Sequence, residues 1–368
     1  MESARRFDAT ILLLTVALTC FGVVMVYSSS SIMAAERYHD GFYFLKRQGF
    51  FALAGLGLMT VFMRIDYQHY RRLAFPGLFL CAFLLLLVLM PGIGNRAGGA
   101  ARWIRLAGMT FQPSEVVKLA LIVYMAHSLA KKQDKVKSFK LGILPYMIVL
   151  ALLLLLLLLQ PDFGSAMTLA FVAMVLLMAA GTRISHLISL VVLAMPFLYY
   201  FIWHVDYRRR RVMAFLDPWQ DPTNTGFQII QSLIAFGTGG LIGNGLGEGK
   251  QKLFYLPEAH TDFIFSVVGE ELGFAGTIVI TAMFLVLVLR GIRVALQAPD
   301  NFGRYLAFGI TLLLGLEAFL NIAVVMGMLP TKGLALPFIS YGGTSLLTSL
   351  VAVGILLNVS SRTTGELQ

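Results

Sequence analysis

Residues 141–160 read LGILPYMIVLALLLLLLLLQ, and a run of this kind decides what the rest of the chain can be. A helix rises about 1.5 Å per residue, so roughly 20 apolar residues cross the ~30 Å hydrocarbon core of a bilayer. The run breaks at QPDFG (160–164), a polar turn whose Asp162 is placed to cap a following helix, and another apolar window starts at once. Outward from there, such windows fall at about 9–28, 47–63, 73–91, 112–130, 141–160, 162–181, 185–204, 262–290, 303–328 and 338–359. They predict an all-α polytopic membrane protein of ten transmembrane helices, a single membrane domain spanning residues 1–368.

Composition agrees. Hydrophobic residues make up 58% and charged residues 13%, with a mean hydropathy of +0.80, more apolar surface than a soluble domain could keep from aggregating. The net charge of +10 raises nucleic acid as a partner. However, Lys and Arg cluster in the breaks between windows, which favours anionic membrane lipid and no nucleic acid. Cys20 and Cys81 lie inside apolar windows without a paired pattern, so neither a disulfide nor zinc is expected. The six histidines are scattered and none has metalloprotease spacing, so no protein-built metal site is expected. Arg5 and Arg6 precede the first window as in a signal peptide, but Tyr27–Ser31 lacks a cleavage pattern; it is read as a retained helix.

Loop charge sets orientation. With both ends cytoplasmic, fifteen Lys and Arg lie on the inner segments and seven (Arg37, Lys46, Arg47, Arg96, Arg102, Arg105 and Lys332) on the short outer ones. The segment at about 205–261 is then a large extracytoplasmic loop between helices 7 and 8. It opens with Arg208, Arg209, Arg210 and Arg211 and holds seven glycines between Gly237 and Gly249. Despite Lys250, this is no P-loop: GxxxxGK[ST] would need Gly at Asn244 and Ser or Thr at Gln251. A flexible or re-entrant segment is expected.

Next comes PEAHTDFIFSVVGEE (257–271), where Glu258, Asp262, Glu270 and Glu271 place four of the nineteen acids beside His260. Each carboxylate facing lipid would cost about 2–3 kcal/mol, so a polar cavity and a reaction site are expected. Asp262 is either an N-cap, if the eighth helix begins near Thr261, or a group at the mouth of a crevice. Ser266, Gly269, Gly273 and Gly276 form a small-residue stripe, on the same side as Asp262, for close helix packing. Glu115 and Lys118, at i and i+3, are either a self-neutralising pair whose lysine snorkels outward or supply a cavity-lining cation. The four arginines suit anionic headgroups or a diphosphate clamp. Glu317, with Asn321 one turn on, is either a hydrogen-bonded structural acid or part of a proton path.

Several stretches together carry a resemblance: VYSSS (26–30), FLKRQ (44–48), ARWIRL (101–106), FQPSE (111–115), QPDFG (160–164), RRRVMAFLDPW (209–219), LPEAHTDFIFSVVGEELG (256–273) and MLPTKGLALPFISYGGTSLL (328–347). In this order the chain resembles the SEDS family (shape, elongation, division, sporulation) of bacterial peptidoglycan glycosyltransferases. LPTKG and PEAHTDFIF make it most like the cell-division branch, FtsW, rather than the elongation branch, RodA. The resemblance implies polymerisation of lipid II at the outer face of the cytoplasmic membrane, at the division septum. It matches Asp262 to the family's essential aspartate and Glu115 and Lys118 to its cavity pair, with Arg210, Arg211, Arg47, Asp162, His260 and Lys332 completing the expected substrate-binding set. Because the donor carries a diphosphate-lipid leaving group, an inverting displacement needs a base for the acceptor 4-hydroxyl and positive charge for the diphosphate, and no nucleotide cofactor. A divalent cation, Mg or Mn, would arrive with that diphosphate. Implied partners are lipid II, undecaprenyl-diphosphate-linked glycan, a class B penicillin-binding transpeptidase and other division proteins. Two rivals stay open, a lipid II flippase and a noncatalytic scaffold for the transpeptidase.

Overall fold

Every one of the ten apolar windows coincides with a helix in the computed structural model, which describes residues 7–92, 94–97, 100–106, 109–253 and 255–362. Arg5 and Arg6 lie outside the described residues, as does the side chain of Arg96. The first seven helices are α1 (Ala9–Tyr38), α2 (Tyr43–Arg64), α3 (Tyr70–Leu89), α4 (Pro113–Lys131), α5 (Leu144–Leu159), α6 (Phe163–Ala179) and α7 (Ile184–Trp203). Two short helices follow, α8 (Asp206–Leu216) and α9 (Phe227–Gly239), then α10 (Ile264–Gln297), α11 (Asn301–Val325) and α12 (Gly343–Ser360). Among the described residues, seven helical segments are long and apolar enough to cross a membrane. The chain is a helical integral membrane protein.

Local chemistry explains the boundaries. Asp8, Asp162 and Asp300 accept the backbone N–H of Ile11, Ser165 and Gly303, capping α1, α6 and α11. Pro113 sits in the first turn of α4, where its missing N–H costs nothing. The bundle core is α11 and α12, whereas α7 buries only Leu187. At Gly354 of α12, a Cβ would crowd the Met59 backbone of α2, so glycine sets that close approach. Both chain ends meet on one face. There the Asp8 N–H donates to Ser360 Oγ (3.1 Å), Arg362 pairs with Asp66 (3.0 Å) and the Tyr67 N–H donates to Asn358 Oδ1 (2.8 Å).

The opposite face departs from the expected all-α character. Between α3 and α4 lies a three-stranded antiparallel sheet, β1 (Gly94–Ala97), β2 (Ala100–Leu106) and β3 (Met109–Phe111), in the order β1-β2-β3. Trp103, Ile104, Thr110 and Phe111 are strand formers in a segment too short and polar to register as an apolar window. The 205–261 segment is not a plain loop either. The four arginines lie on α8, a helix of their own, and α9 folds back against α10.

α10 begins at Ile264, later than the expected Thr261, and breaks at Gly273 (φ 65°, ψ −163°), a conformation that excludes an L side chain. The glycine-rich segment docks into the break and takes its freed hydrogen bonds. The Asn244 and Gly245 N–H groups donate to the carbonyls of Glu270 and Glu271 (3.0 Å each), and the Phe274 N–H donates to Gly240 O (2.9 Å). A Cβ at Gly243 or Gly273 would strike this backbone. Half of the expected stripe packs against a neighbouring helix: Ser266 bonds Ser232 of α9 (2.8 Å) and a Cβ at Gly269 would meet Phe236, whereas Gly273 meets the glycine-rich segment and Gly276 meets Leu272 of its own helix. Asp262, by contrast, lies against Gly333 of another loop.

Candidate active site

The acidic cluster comes apart in three dimensions. Glu270 and Glu271 are buried and committed to the glycine-rich segment. Glu270 accepts from the N–H groups of Lys250 and Gln251. Glu271 takes the Lys252 ammonium (2.6 Å), the Ser28 hydroxyl (2.7 Å) and the Gly247 N–H (3.1 Å). They belong to the scaffold and not to one cavity with Asp262.

Asp262 is not a helix cap, because α10 starts two residues later without any side-chain cap bond. A tight turn presents it instead. Glu258 has φ 58°, and its carbonyl accepts from the N–H groups of Thr261 (3.1 Å) and Phe263 (3.2 Å). A non-glycine residue held there stores on the order of 1–3 kcal/mol of strain, so the surroundings must over-determine the turn. They do. Ser340 Oγ donates to Thr261 O (2.6 Å), Asn321 Nδ2 donates to Asp262 O (2.8 Å), and the Tyr341 N–H donates to His260 O (2.9 Å). The Asp262 side chain takes no hydrogen bond among the described residues and is half-buried. Burial, and next the negative charge of Glu258, push its carboxyl up to about 7, against the pull of Arg211 and Arg102 toward the ionised form. At Gly333, a Cβ would lie 3.2 Å from Asp262 Oδ2, so glycine leaves the approach open.

Gly333, Arg211 and Arg102 also line a cavity of about 240 Å³ with Arg208, Lys332 and Asp162. Its cations are held by rings and carbonyls. Arg208 and Lys332 lie 5.2 and 5.8 Å from the Phe163 ring, and Arg211 lies 4.4 Å from Tyr207 while donating to Thr331 O (3.0 Å). Arg102 donates to Pro161 O. With no carboxylate paired to them among the described residues, these cations keep donor capacity for an incoming anion. Burial also pulls Arg211 and Lys332 below their ordinary pKa, so an anion would be welcome there. Asp162 caps α6 through Oδ1, while its buried Oδ2 has no hydrogen-bond partner among the described residues.

The other expected site residues are dispersed. Arg210 lines an adjoining pocket with Asp206 and Gln228, which Arg211 and Thr331 of the cation cavity also line. Arg47, 4.5 Å from the Tyr43 ring, lines a pocket of about 620 Å³ with Lys46, Trp103 and Tyr341. Thr261, next to Asp262, lines this pocket too. His260 is packed between Phe44 (4.6 Å) and Tyr341 (5.7 Å), and burial lowers its pKa. Lys118 does not snorkel. It is 3% exposed, bonded to Glu115 (2.8 Å) and also to Glu317. Arg102 and Asn321 are the contributors that sequence reasoning left out of the site. Each stood in a quoted stretch or beside a noted acid, but only the fold gives it its neighbours.

The donor set suits a diphosphate better than a bare metal. Among the described residues no three His, Cys, Asp or Glu side chains gather into a cage. Asp162 Oδ2 could lend one oxygen to a cation that enters with a diphosphate.

Comparison with known proteins places this arrangement. The model of the FtsW/RodA/SpoVE cell cycle protein family matches residues 8–365. A Geobacter metallireducens protein named "Probable peptidoglycan glycosyltransferase FtsW" is 65% identical over 365 residues, covering 99% of this chain and 97% of its own. A chain from a structure described as "Structural coordination of polymerization and crosslinking by a peptidoglycan synthase complex" superposes with a TM-score of 0.78 at 30% identity, covering 96% of this chain and 97% of that one. The crystal structure of the Thermus thermophilus rod shape determining protein RodA superposes with a TM-score of 0.72 at 26% identity, over 98% of each chain. The chain belongs to the FtsW/RodA/SpoVE family.

Proposed function

We propose that this family member is a peptidoglycan glycosyltransferase of the cell-division branch, polymerising lipid II into glycan strands. The observation that carries the reading is one half-buried carboxylate, Asp262, lying against Gly333 and within the field of Arg211 and Arg102, three residues that line a cavity whose cations have no carboxylate partner among the described residues. Asp262, as carboxylate, takes the proton of the acceptor 4-hydroxyl as that oxygen attacks the donor's anomeric carbon. Arg211, Arg102, Arg208 and Lys332 stabilise the negative charge that develops on the departing diphosphate. One displacement inverts the anomeric centre, and the activated leaving group removes the need for a second carboxylic acid. Arg47, in the pocket that Thr261 lines, supplies positive charge for the second lipid-linked saccharide. Any Mg or Mn would accompany the diphosphate, with Asp162 as protein ligand.

Ten helices cross the bilayer in this reading, with both ends cytoplasmic and the Asp262 face extracytoplasmic in the bacterial inner membrane, at the division septum. The loop charge bias and the meeting of both ends on one face support it. A transpeptidase partner is supported by likeness to a chain from a complex that couples polymerization to crosslinking. The test is purified protein with lipid II in detergent, where there is no bilayer to flip across. Glycan chains from the wild type and none from Asp262→Asn support the enzyme. Equal polymer from both variants rules out Asp262 as the base, and none from either variant, alone or with the transpeptidase, rules out the activity.

A further inference from the structure

Two pieces of chain far apart in sequence meet beside the cation cavity, the Asp262 turn and the loop whose Thr331, Lys332 and Gly333 line that cavity, and a single side chain ties them together. Asn321, on α11 and 2% exposed, donates through Nδ2 to Asp262 O (2.8 Å) and to Leu334 O (2.6 Å). An amide nitrogen carries two hydrogens, and both are spent on this bridge. A few residues on, Ser340 repeats the arrangement by donating to Thr261 O (2.6 Å) and accepting from the Leu336 N–H (2.8 Å). Gly333, between the bridged points, is the residue that faces Asp262 Oδ2.

We infer that Asn321 is a positioning residue for glycosyl transfer: its amide clamps the Asp262 turn to the Lys332–Leu334 wall and so sets the distance between the carboxylate and the cations. This rests on the proposed function and adds a residue to it. Asn321 touches only backbone oxygens, so it contributes through Asp262 and not by contact with the sugar. Misplacing a reacting group by about 1 Å costs on the order of 100-fold in rate, which makes the clamp worth detecting. The charged groups facing Asp262 are Glu258 in its own turn, Arg211 of α8 and Arg102 of β2, with Lys332 on the far wall. A released turn lets water reach the carboxylate, and the pH at which it ionises falls toward the ordinary aspartate value.

The test compares wild type, Asn321→Leu, Ser340→Ala and Asp262→Asn as full-length protein in lipid II polymerisation, with kcat, KM and the pH profile normalised to folded protein. Asn321→Leu removes both bonds at nearly constant volume. It is expected to lower kcat by about 10- to 100-fold with KM changed less than about threefold, and to move the acid limb of the profile to lower pH. Ser340→Ala is expected to act in the same sense more weakly, and carries the test if Asn321→Leu does not fold. Wild-type kcat and an unmoved acid limb in whichever of the two folds overturn the inference, as does a loss of activity that only tracks lost folded protein. Should Asp262→Asn itself polymerise normally, the reading of the reaction fails instead, which separates the two outcomes.

Discussion

Asp262 and Glu271 stand nine residues apart in one acidic stretch, yet their surroundings are opposite. Glu271 is fully buried with every strong partner in place: an ammonium, a hydroxyl and a backbone N–H. Asp262 is half-buried, carries no side-chain hydrogen bond among the described residues, and faces cations that keep donor capacity. A saturated carboxylate has no lone pair left for chemistry and stabilises the fold, while an unsatisfied one is tolerated only where something else will use it. Proximity in sequence therefore misleads about role, and hydrogen-bond saturation separates the two.

The largest effect expected from breaking this contrast is on activity at Asp262. Asp262→Asn should reduce polymerisation by about 10²- to 10⁴-fold, the range for loss of a general base, measured as glycan formed from lipid II. Its stability should move the other way. Asp262 ionises at about 7 in the fold against an ordinary 3.8, so the native state holds the proton more tightly. Stability from this group is present below about 3.8 and lost as pH rises through about 7. Thermal unfolding should therefore find Asp262→Asn more stable than wild type above pH 7, with the gain fading in acid.

Glu271→Leu should do the reverse. It strands the buried Lys252 ammonium and should cost about 3–5 kcal/mol, visible as a lowered unfolding temperature. Polymerisation per folded molecule should be largely kept. A collapse in activity without loss of stability would erase the distinction between the two acids. Arg211→Ala comes next, at about 10- to 100-fold in rate from weaker stabilisation of the leaving diphosphate. Because Arg211 favours the ionised form of Asp262, its loss should also shift the acid limb of the pH profile upward. Glu258→Gln should be the mildest, moving that limb to lower pH by less than about one unit, since Glu258 is the negative charge that raises Asp262.

The long helices were legible because an apolar run of about 20 residues is a local property, and every window found its helix. The cap at Asp162 and the Glu115–Lys118 pair were local too. The break in α10 was not. Gly273 reads as one of four small residues in a stripe, and its left-handed conformation follows from the docking of Gly240–Gly245, thirty residues upstream. The strands and the helix of four arginines were hidden in polar segments that hydropathy cannot resolve. Within the site, Lys332 lines the cation cavity and Asp262 lies against Gly333 of its wall, whereas His260 belongs to an aromatic cluster and Arg210 to an adjoining pocket. Arg102 and Asn321 gain meaning only from partners distant in sequence.

The pH dependence of kcat/KM for lipid II polymerisation tests the central claim most directly. A wild-type rate that falls on the acid side of about pH 7, with that limb missing from the residual activity of Asp262→Asn, is the predicted result. A wild-type rate flat through that range, or an unchanged acid limb in Asp262→Asn, would contradict it.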